Sequence, residues 1–402
     1  MPIDTPRPSR RALLGGIAGV GLAMQWPTAA AALGSDEEAA QLAAVLDRWD
    51  ALATPAARLA ALDRFDPAAL PLASRLDLDA ARWGCDIDRR LAAAGDAPAR
   101  RYPLLAERAF GAPIDIATAR TGLDARIETL HRRAHRLMDG LGIPAGPIAD
   151  RFDAAFADPR WRYADDDTGR DRAVADMNHW LDAVRPHLAD WLGPLPAVCN
   201  NVAVRRLTPQ EIAAGKGGYR TLPHGASRGF YIVDLKHIAR RPRWTLRSVV
   251  HHELLPGHMV QLPIEAQTPP HPVRERYSAG YTEGWATYAE ALAIDRGLFA
   301  DDPAGELGAV HWLLFRALRG RIDIALHADG RSIPQALDLW RRSLGQPIYF
   351  IDFATDTARI ARDPGVRLAE AAFWGKFETA AARTSTLAAL LEGGRRPAAL
   401  MP

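Results

Sequence analysis

His252-Glu253-Leu254-Leu255-Pro256-Gly257-His258 places two histidines six residues apart, with a carboxylate directly after the first and a Pro-Gly pair directly before the second. It reads as HExxH with two residues inserted. In plain HExxH the histidines stand four apart, one above the other on a helical face, and can chelate one ion. Six residues at roughly 100° each would instead put His258 about 240° round from His252. A straight helix therefore cannot bring the two together, and His251 and His258, which do share a face, lie two turns apart. Pro256 lacks an N–H and its ring clashes with the carbonyl of His252 four residues back. Gly257 accepts backbone angles that other residues avoid. We expect a helix broken or bulged after Leu255, with His258 swung back towards His252. The other reading is a helix that stops at Pro-Gly, with histidines scattered around it.

A third ligand is expected from the following helical stretch, Tyr281-Thr282-Glu283-Gly284-Trp285-Ala286-Thr287-Tyr288-Ala289-Glu290, beyond the proline-rich loop at 268–272. Glu283, Ala286, Thr287 and Glu290 share one helical face. Two histidines and Glu283 would leave one coordination position open, the arrangement of catalytic zinc sites. Glu290 is read first as a surface carboxylate and second as a partner for a ligating histidine.

HExxPGH followed by EGWAxYAE resembles the bacterial domain-of-unknown-function family 885, whose members are similar to gluzincin metallopeptidases. The likeness begins near Ser227-Arg228-Gly229-Phe230-Tyr231-Ile232-Val233 and continues into Arg319-Gly320-Arg321-Ile322-Asp323-Ile324-Ala325-Leu326-His327. The resemblance implies one Zn2+ held by His252, His258 and Glu283, with Glu253 as general base. It also implies a gluzincin-like catalytic core in a mainly α chain with a small β-sheet. Three features depart from the family pattern: Met259 stands where a second histidine usually follows PGH, an RY segment is not recognisable, and the C-terminal elements are shortened.

The expected activity is hydrolysis of peptide or small amide bonds. Zinc lowers the pKa of bound water, and Glu253 accepts its proton and passes it to the leaving amine. The developing oxyanion needs a further donor, for which Tyr231, Tyr281, His327 and Tyr349 are candidates, His327 from its place in the family-like segment. Arg319 could hold a substrate carboxylate or simply pair with Asp323 four residues on. Tyr231, Arg319 and Tyr349 are thus the expected substrate-binding residues. The alternative function is a catalytically degraded metal-binding protein that captures peptides or assists a partner, as Met259 and the short C-terminus suggest.

Ser9-Arg10-Arg11-Ala12-Leu13-Leu14 and the small-residue, apolar stretch after it form a twin-arginine export pattern over residues 1–33. Cleavage is expected near 31–33, with the twin-arginine translocation machinery as a partner and a periplasmic or secreted destination. The stretch is too short and glycine-rich for a stable membrane span. Cys85 and Cys199 fit one disulfide or two buried thiols about equally. The chain has 402 residues, 48% of them hydrophobic, and a formal net charge of +2. Lysine occurs only at 216, 236 and 376. The basic cluster Arg240-Arg241-Pro242-Arg243 is not interleaved with stacking aromatics, so no nucleic-acid partner is expected.

Helical periodicity dominates 36–52, 76–94, 116–141 and 171–192, and returns at 245–255, 281–296, 305–327 and 334–343. Gly193-Pro194-Leu195-Pro196 marks the expected boundary between an N-terminal helical region, 34–193, and a catalytic region, 194–402. Val202-Ala203-Val204 and Phe230-Tyr231-Ile232-Val233 read as short strands. The second could offer an exposed edge to an extended peptide or belong to a packed hairpin.

Overall fold

The computed structural model describes residues 36–349, 351–384 and 386–402; the export pattern at 1–33 lies outside them. The chain is mainly helical with one three-stranded sheet, as expected. It opens with α1 (Asp36–Leu46), α2 (Pro55–Leu62), α3 (Leu72–Ala93), α4 (Pro98–Phe110), α5 (Ile116–Gly140), α6 (Ile148–Ala157), α7 (Asp167–Val184) and α8 (Leu188–Leu192). Side chains that accept N-terminal backbone N–H groups fix several of these starts, among them Thr54, Asp115 and Asp166.

The sheet comes next: β1 (Val202–Arg206), a short α9 (Pro209–Ala213), β2 (Tyr219–Thr221) and β3 (Gly229–Val233). Its order is β1-β3-β2, with β3 parallel to β1 and antiparallel to β2. Of the two readings of this strand, the peptide-pairing edge is excluded, because β3 is the central strand and both its sides are bonded. The strand the sequence left unmarked, β2, is an edge. Register places Arg220 of β2 and Val204 of β1 opposite Tyr231 of β3. All three side chains therefore leave the same face of the sheet.

β3 leads through a short turn into α10 (Arg243–Glu253), followed by α11 (His258–Gln267), α12 (Pro272–Arg276), α13 (Tyr281–Asp295), α14 (Pro303–His327), α15 (Ile333–Leu344), α16 (Phe353–Arg362) and α17 (Val366–Ala381). α14 is buried along almost its whole length and packs against α5, α10, α15 and α17, so its polar residues His311, Arg316, Arg319 and Asp323 are buried with its apolar ones. α13 lies on α17, and the two approach closely at Gly284, where a Cβ would come within 2.3 Å of the Cβ of Phe373.

Gly193 does not separate two cores. One cluster runs from Tyr102 and Met138 through Trp180, Val204 and Trp285 to Phe377 and Met401. A smaller one joins α1–α3 to α12 through Trp49, Leu78, Cys85, Val273 and Tyr277. The helices of the first half therefore pack as part of the body that holds the motifs. Cys85 and Cys199 are both buried free thiols. Among the described residues no helix is long and apolar enough to cross a membrane.

Candidate metal centre

α10 ends at Glu253, two residues before the expected break. Leu254 leaves helical space at φ −117°, ψ −102°, the Leu255–Pro256 peptide is cis, and α11 starts at His258 itself. Residues 254–257 thus form a tight helix-to-helix turn. Gly257 is required there by close packing, since a Cβ would lie 2.0 Å from the His252 carbonyl oxygen and 2.4 Å from that of His251. The turn is pinned from α13, where the Trp285 indole N–H donates to the carbonyls of Pro256 and Gly257 at 3.2 and 3.1 Å. The tryptophan of the second motif therefore holds the proline-glycine of the first.

The turn brings His258 back as expected, with the His252 and His258 rings 4.8 Å apart and nearly perpendicular. Glu283, in the first turns of α13, completes the group. Its Oε2 is 3.5 Å from His252 Nε2 and its Oε1 is 3.6 Å from His258 Nε2. One donor atom from each of the three residues lies within 4.8 Å of the others. Ligands about 2.0–2.1 Å from a tetrahedral zinc ion stand roughly 3.4 Å from one another, so two of the spacings are close to that demand. Neither ring nitrogen of fully buried His258 has a hydrogen-bond partner among the described residues. A buried imidazole with no hydrogen bond is costly, and a divalent cation between it and Glu283 would satisfy it. The residues present fit a zinc ion.

Glu290 corrects the first reading given to it. It is 1% exposed, not on the surface. One oxygen accepts from His252 Nδ1–H at 2.8 Å and the other from the Ser248 hydroxyl at 2.6 Å. This fixes the tautomer that leaves His252 Nε2 facing Glu283. Burial and Arg316 pull the His252 pKa down, but Glu283 and Glu290 outweigh them and raise it to about 9. Burial, then the Arg220 charge, pushes His258 down to about 4.

Two arginines that sequence reasoning missed lie in the site. Arg220, projecting from β2, donates through Nη1 to Glu253 Oε2. Burial would raise the Glu253 pKa, but Arg220 and the two imidazoles hold it below the ordinary value. Arg316, on α14, has Nη1 3.2 Å from Glu283 Oε2 and Nη2 3.2 Å from His252 Nε2. No motif signals either residue, because each is placed by an element far from the histidines in sequence. The histidines are buried, whereas the Glu283, Arg220 and Glu253 side chains keep 32%, 29% and 19% exposure. The cluster is therefore reached from the Glu283 and Arg220 side.

The other expected site residues divide. Tyr231 lies beside the cluster, with its hydroxyl 3.3 Å from that of Tyr349. Burial, then Tyr349 and Glu253, raise its pKa well above the usual value and keep it protonated. His327 is displaced: it sits eleven residues beyond Arg316, about 16 Å along α14. Its Nε2 meets the Ile360 carbonyl at 3.1 Å and its ring stacks on Tyr102. Arg319 is committed inside the protein, to Asp356 at 3.0 and 3.1 Å and Glu370 at 3.2 Å. Asp323, its expected surface partner, is fully buried and accepts the backbone N–H groups of Gly365, Arg367 and Leu368. Tyr281 is also withdrawn, donating to the Leu390 carbonyl.

The fold is shared with solved structures. A chain from Colwellia psychrerythraea aligns with TM-score 0.64 and 21% identity over 90% of this chain and 68% of its own. One from Shewanella oneidensis aligns with TM-score 0.58 and 16% identity over 90% of this chain and 72% of its own. Both are described as a "putative lipoprotein". At these identities the likeness is one of fold. No curated protein matches. The family model described as a bacterial protein of unknown function, DUF885, matches residues 87–395, so it takes in both histidines, Glu253, Glu283, Glu290 and the two arginines, and the chain belongs to that family.

Proposed function

We propose that this chain is a zinc-dependent hydrolase of peptide or related amide bonds that works outside the cytoplasm. The observation that carries the reading is the convergence of His252, His258 and Glu283, with neither nitrogen of buried His258 hydrogen-bonded among the described residues and Glu253 alongside. The export pattern at 1–33 and the description of the two structural neighbours support the location.

When bound, zinc supplies Lewis-acid polarisation of the substrate carbonyl and a water acidic enough to lose a proton near neutral pH. The chain supplies the rest. Glu253, kept ionised, takes the proton from water and returns it to the leaving amine. Glu290 holds His252 in the required tautomer. Tyr231, with Tyr349 beside it, is a protonated hydroxyl for the oxygen that becomes negative.

A second reading, metal-dependent peptide capture without turnover, is favoured by the Arg220–Glu253 pair, which occupies an oxygen of the base. A diverse peptide library digested with and without chelator, read by mass spectrometry alongside zinc content, separates the two. The hydrolase reading expects about one zinc per chain and cleavage that a chelator abolishes. Chelator-sensitive binding without cleavage would replace it with the second reading.

A further inference from the structure

Arg220 sits where it should hinder the reaction just proposed. A base must be free to accept a proton, yet one oxygen of Glu253 is engaged by Arg220. The engagement uses Nη1 alone, and the other donors of Arg220 make no hydrogen bond among the described residues. A guanidinium has five N–H groups and binds a carboxylate best through two parallel bonds. Glu253 at this position satisfies only part of that capacity.

The other arginines near the cluster each have partners deeper inside the protein, although Arg241 Nε and Nη2 and Arg316 Nε, all buried, make no hydrogen bond among the described residues. Arg319 is bound by Asp356 and Glu370. Arg316 faces Glu283 and His252. Arg241 is 1% exposed, donates to the Asp234 carbonyl and stacks over the Tyr349 ring. Arg220 differs in being at the mouth, with 29% of its side chain exposed. Its strand pairing puts it opposite Tyr231, on the face of the sheet that meets Glu253.

Formal charge points the same way. With both imidazoles deprotonated to hold a divalent cation, Glu253, Glu283 and Glu290 set three negative charges against the two positive charges of Arg220 and Arg316. The ion's two charges then leave one excess positive charge. A ligand that brings a single carboxylate would restore neutrality in a partly dehydrated site.

We propose that Arg220 is the specificity residue of this site: it binds a carboxylate carried by the substrate close to the scissile amide and thereby releases Glu253. The preferred substrates are carboxylate-bearing amides. The assignment rests on the hydrolase reading above and deepens it. Before substrate arrives, Arg220 keeps the Glu253 carboxylate oriented and ionised. When the substrate carboxylate takes the guanidinium, the Oε2 of Glu253 is freed towards water. No bond is made or broken in this exchange; one ion pair replaces another.

The test uses the full chain with and without zinc and two small probes, succinic acid monohydroxamate and the matching carboxamide hydroxamate, titrated by calorimetry. Zinc-loaded protein should bind the carboxylate probe about 10–100-fold more tightly than the carboxamide, a span typical of a charge-assisted bidentate contact. Arg220→Gln should bring that ratio to about one, and Arg220→Lys, which keeps the charge without the fork, should leave an intermediate ratio. Melting curves check that both variants fold; where Arg220→Gln does not, the Arg220→Lys ratio decides. A peptide set that exchanges free C-termini for carboxamides, and Asp or Glu for Asn or Gln, then tells a terminal carboxylate from an acidic side chain. Equal binding of the two probes to wild type overturns the proposal, as does a loss in Arg220→Gln that falls equally on both. Failure of both probes to bind zinc-loaded protein would overturn the zinc reading itself, and this assignment with it.

Discussion

Two of the stretches that carry the family likeness, residues 252–290 and 319–327, use their charged side chains in opposite ways. In the first, neither buried nitrogen of His258 makes a hydrogen bond among the described residues, Nε2 lying 3.6 Å from Glu283, which remains partly exposed. In the second, Arg321 pairs with Asp124 and Asp329 nearer the surface, and the other charged or titratable groups are spent inside the protein. Arg319 is bound by two buried carboxylates, Asp323 caps the start of α17 through three backbone N–H groups, and His327 is occupied by Ile360 and Tyr102. Both stretches contain histidine and carboxylate at helical spacing, so residue type does not separate them. Unused bonding capacity does: a buried polar group already satisfied by the fold has little left for a ligand.

The largest effect that would sharpen this contrast is on turnover. Glu253→Gln should lower hydrolysis by about 10³-fold, within the range for loss of a general base, while zinc content by atomic absorption stays near that of wild type. A variant as active as wild type would end the contrast, because the first stretch would then do no chemistry. Next comes stability in the second stretch. Arg319→Met leaves buried Asp356 without a cation, while Glu370 keeps Arg367, and should cost about 3–5 kcal/mol in urea unfolding. Zinc per folded molecule should not change. Unaltered stability with abolished turnover would move Arg319 into the site.

A smaller effect is expected on metal affinity. Glu290→Gln removes the anionic partner of His252 Nδ1–H and should weaken zinc binding about 10–100-fold in a competition with a chelating dye. If affinity is unchanged, Glu290 only fills the core. The mildest probe is pH. With no ion bound, His252 has a pKa raised to about 9, so at neutral pH it holds a proton that zinc must displace. Apparent zinc affinity should therefore rise with pH up to about 9 and fall about tenfold per unit below it. A flat profile between pH 6 and 8 would show that His252 is already neutral.

Much of this site was legible in the sequence because the decisive features are local. Pro256 and Gly257 foretell a break, and a break is what lets histidines six apart meet, although it falls at Leu254 and not after Leu255. Glu283 was legible from its helical face. Glu290 was misjudged because the same face that lines up with Glu283 meets solvent or core depending on what packs against α13. Arg220 left no trace because β2 is three residues long, too short for alternation to mark it. His327 was drawn in by its family-like segment, but α14 is continuous, and its rise carries His327 away from the cluster.

By itself the sequence determined the helices with clear periodicity, though not α4 or α17 among others, the break between α10 and α11, and which side chains could hold a metal. These follow from backbone limits on proline and glycine and from periodicity, all acting over a few residues. Only the tertiary structure decided which charges remain available. Glu253 meets Arg220 across 33 positions, His252 meets Glu290 across 38, and Arg319 meets Glu370 across 51. Whether a buried charge is satisfied depends on partners brought by other elements, and no local pattern records them.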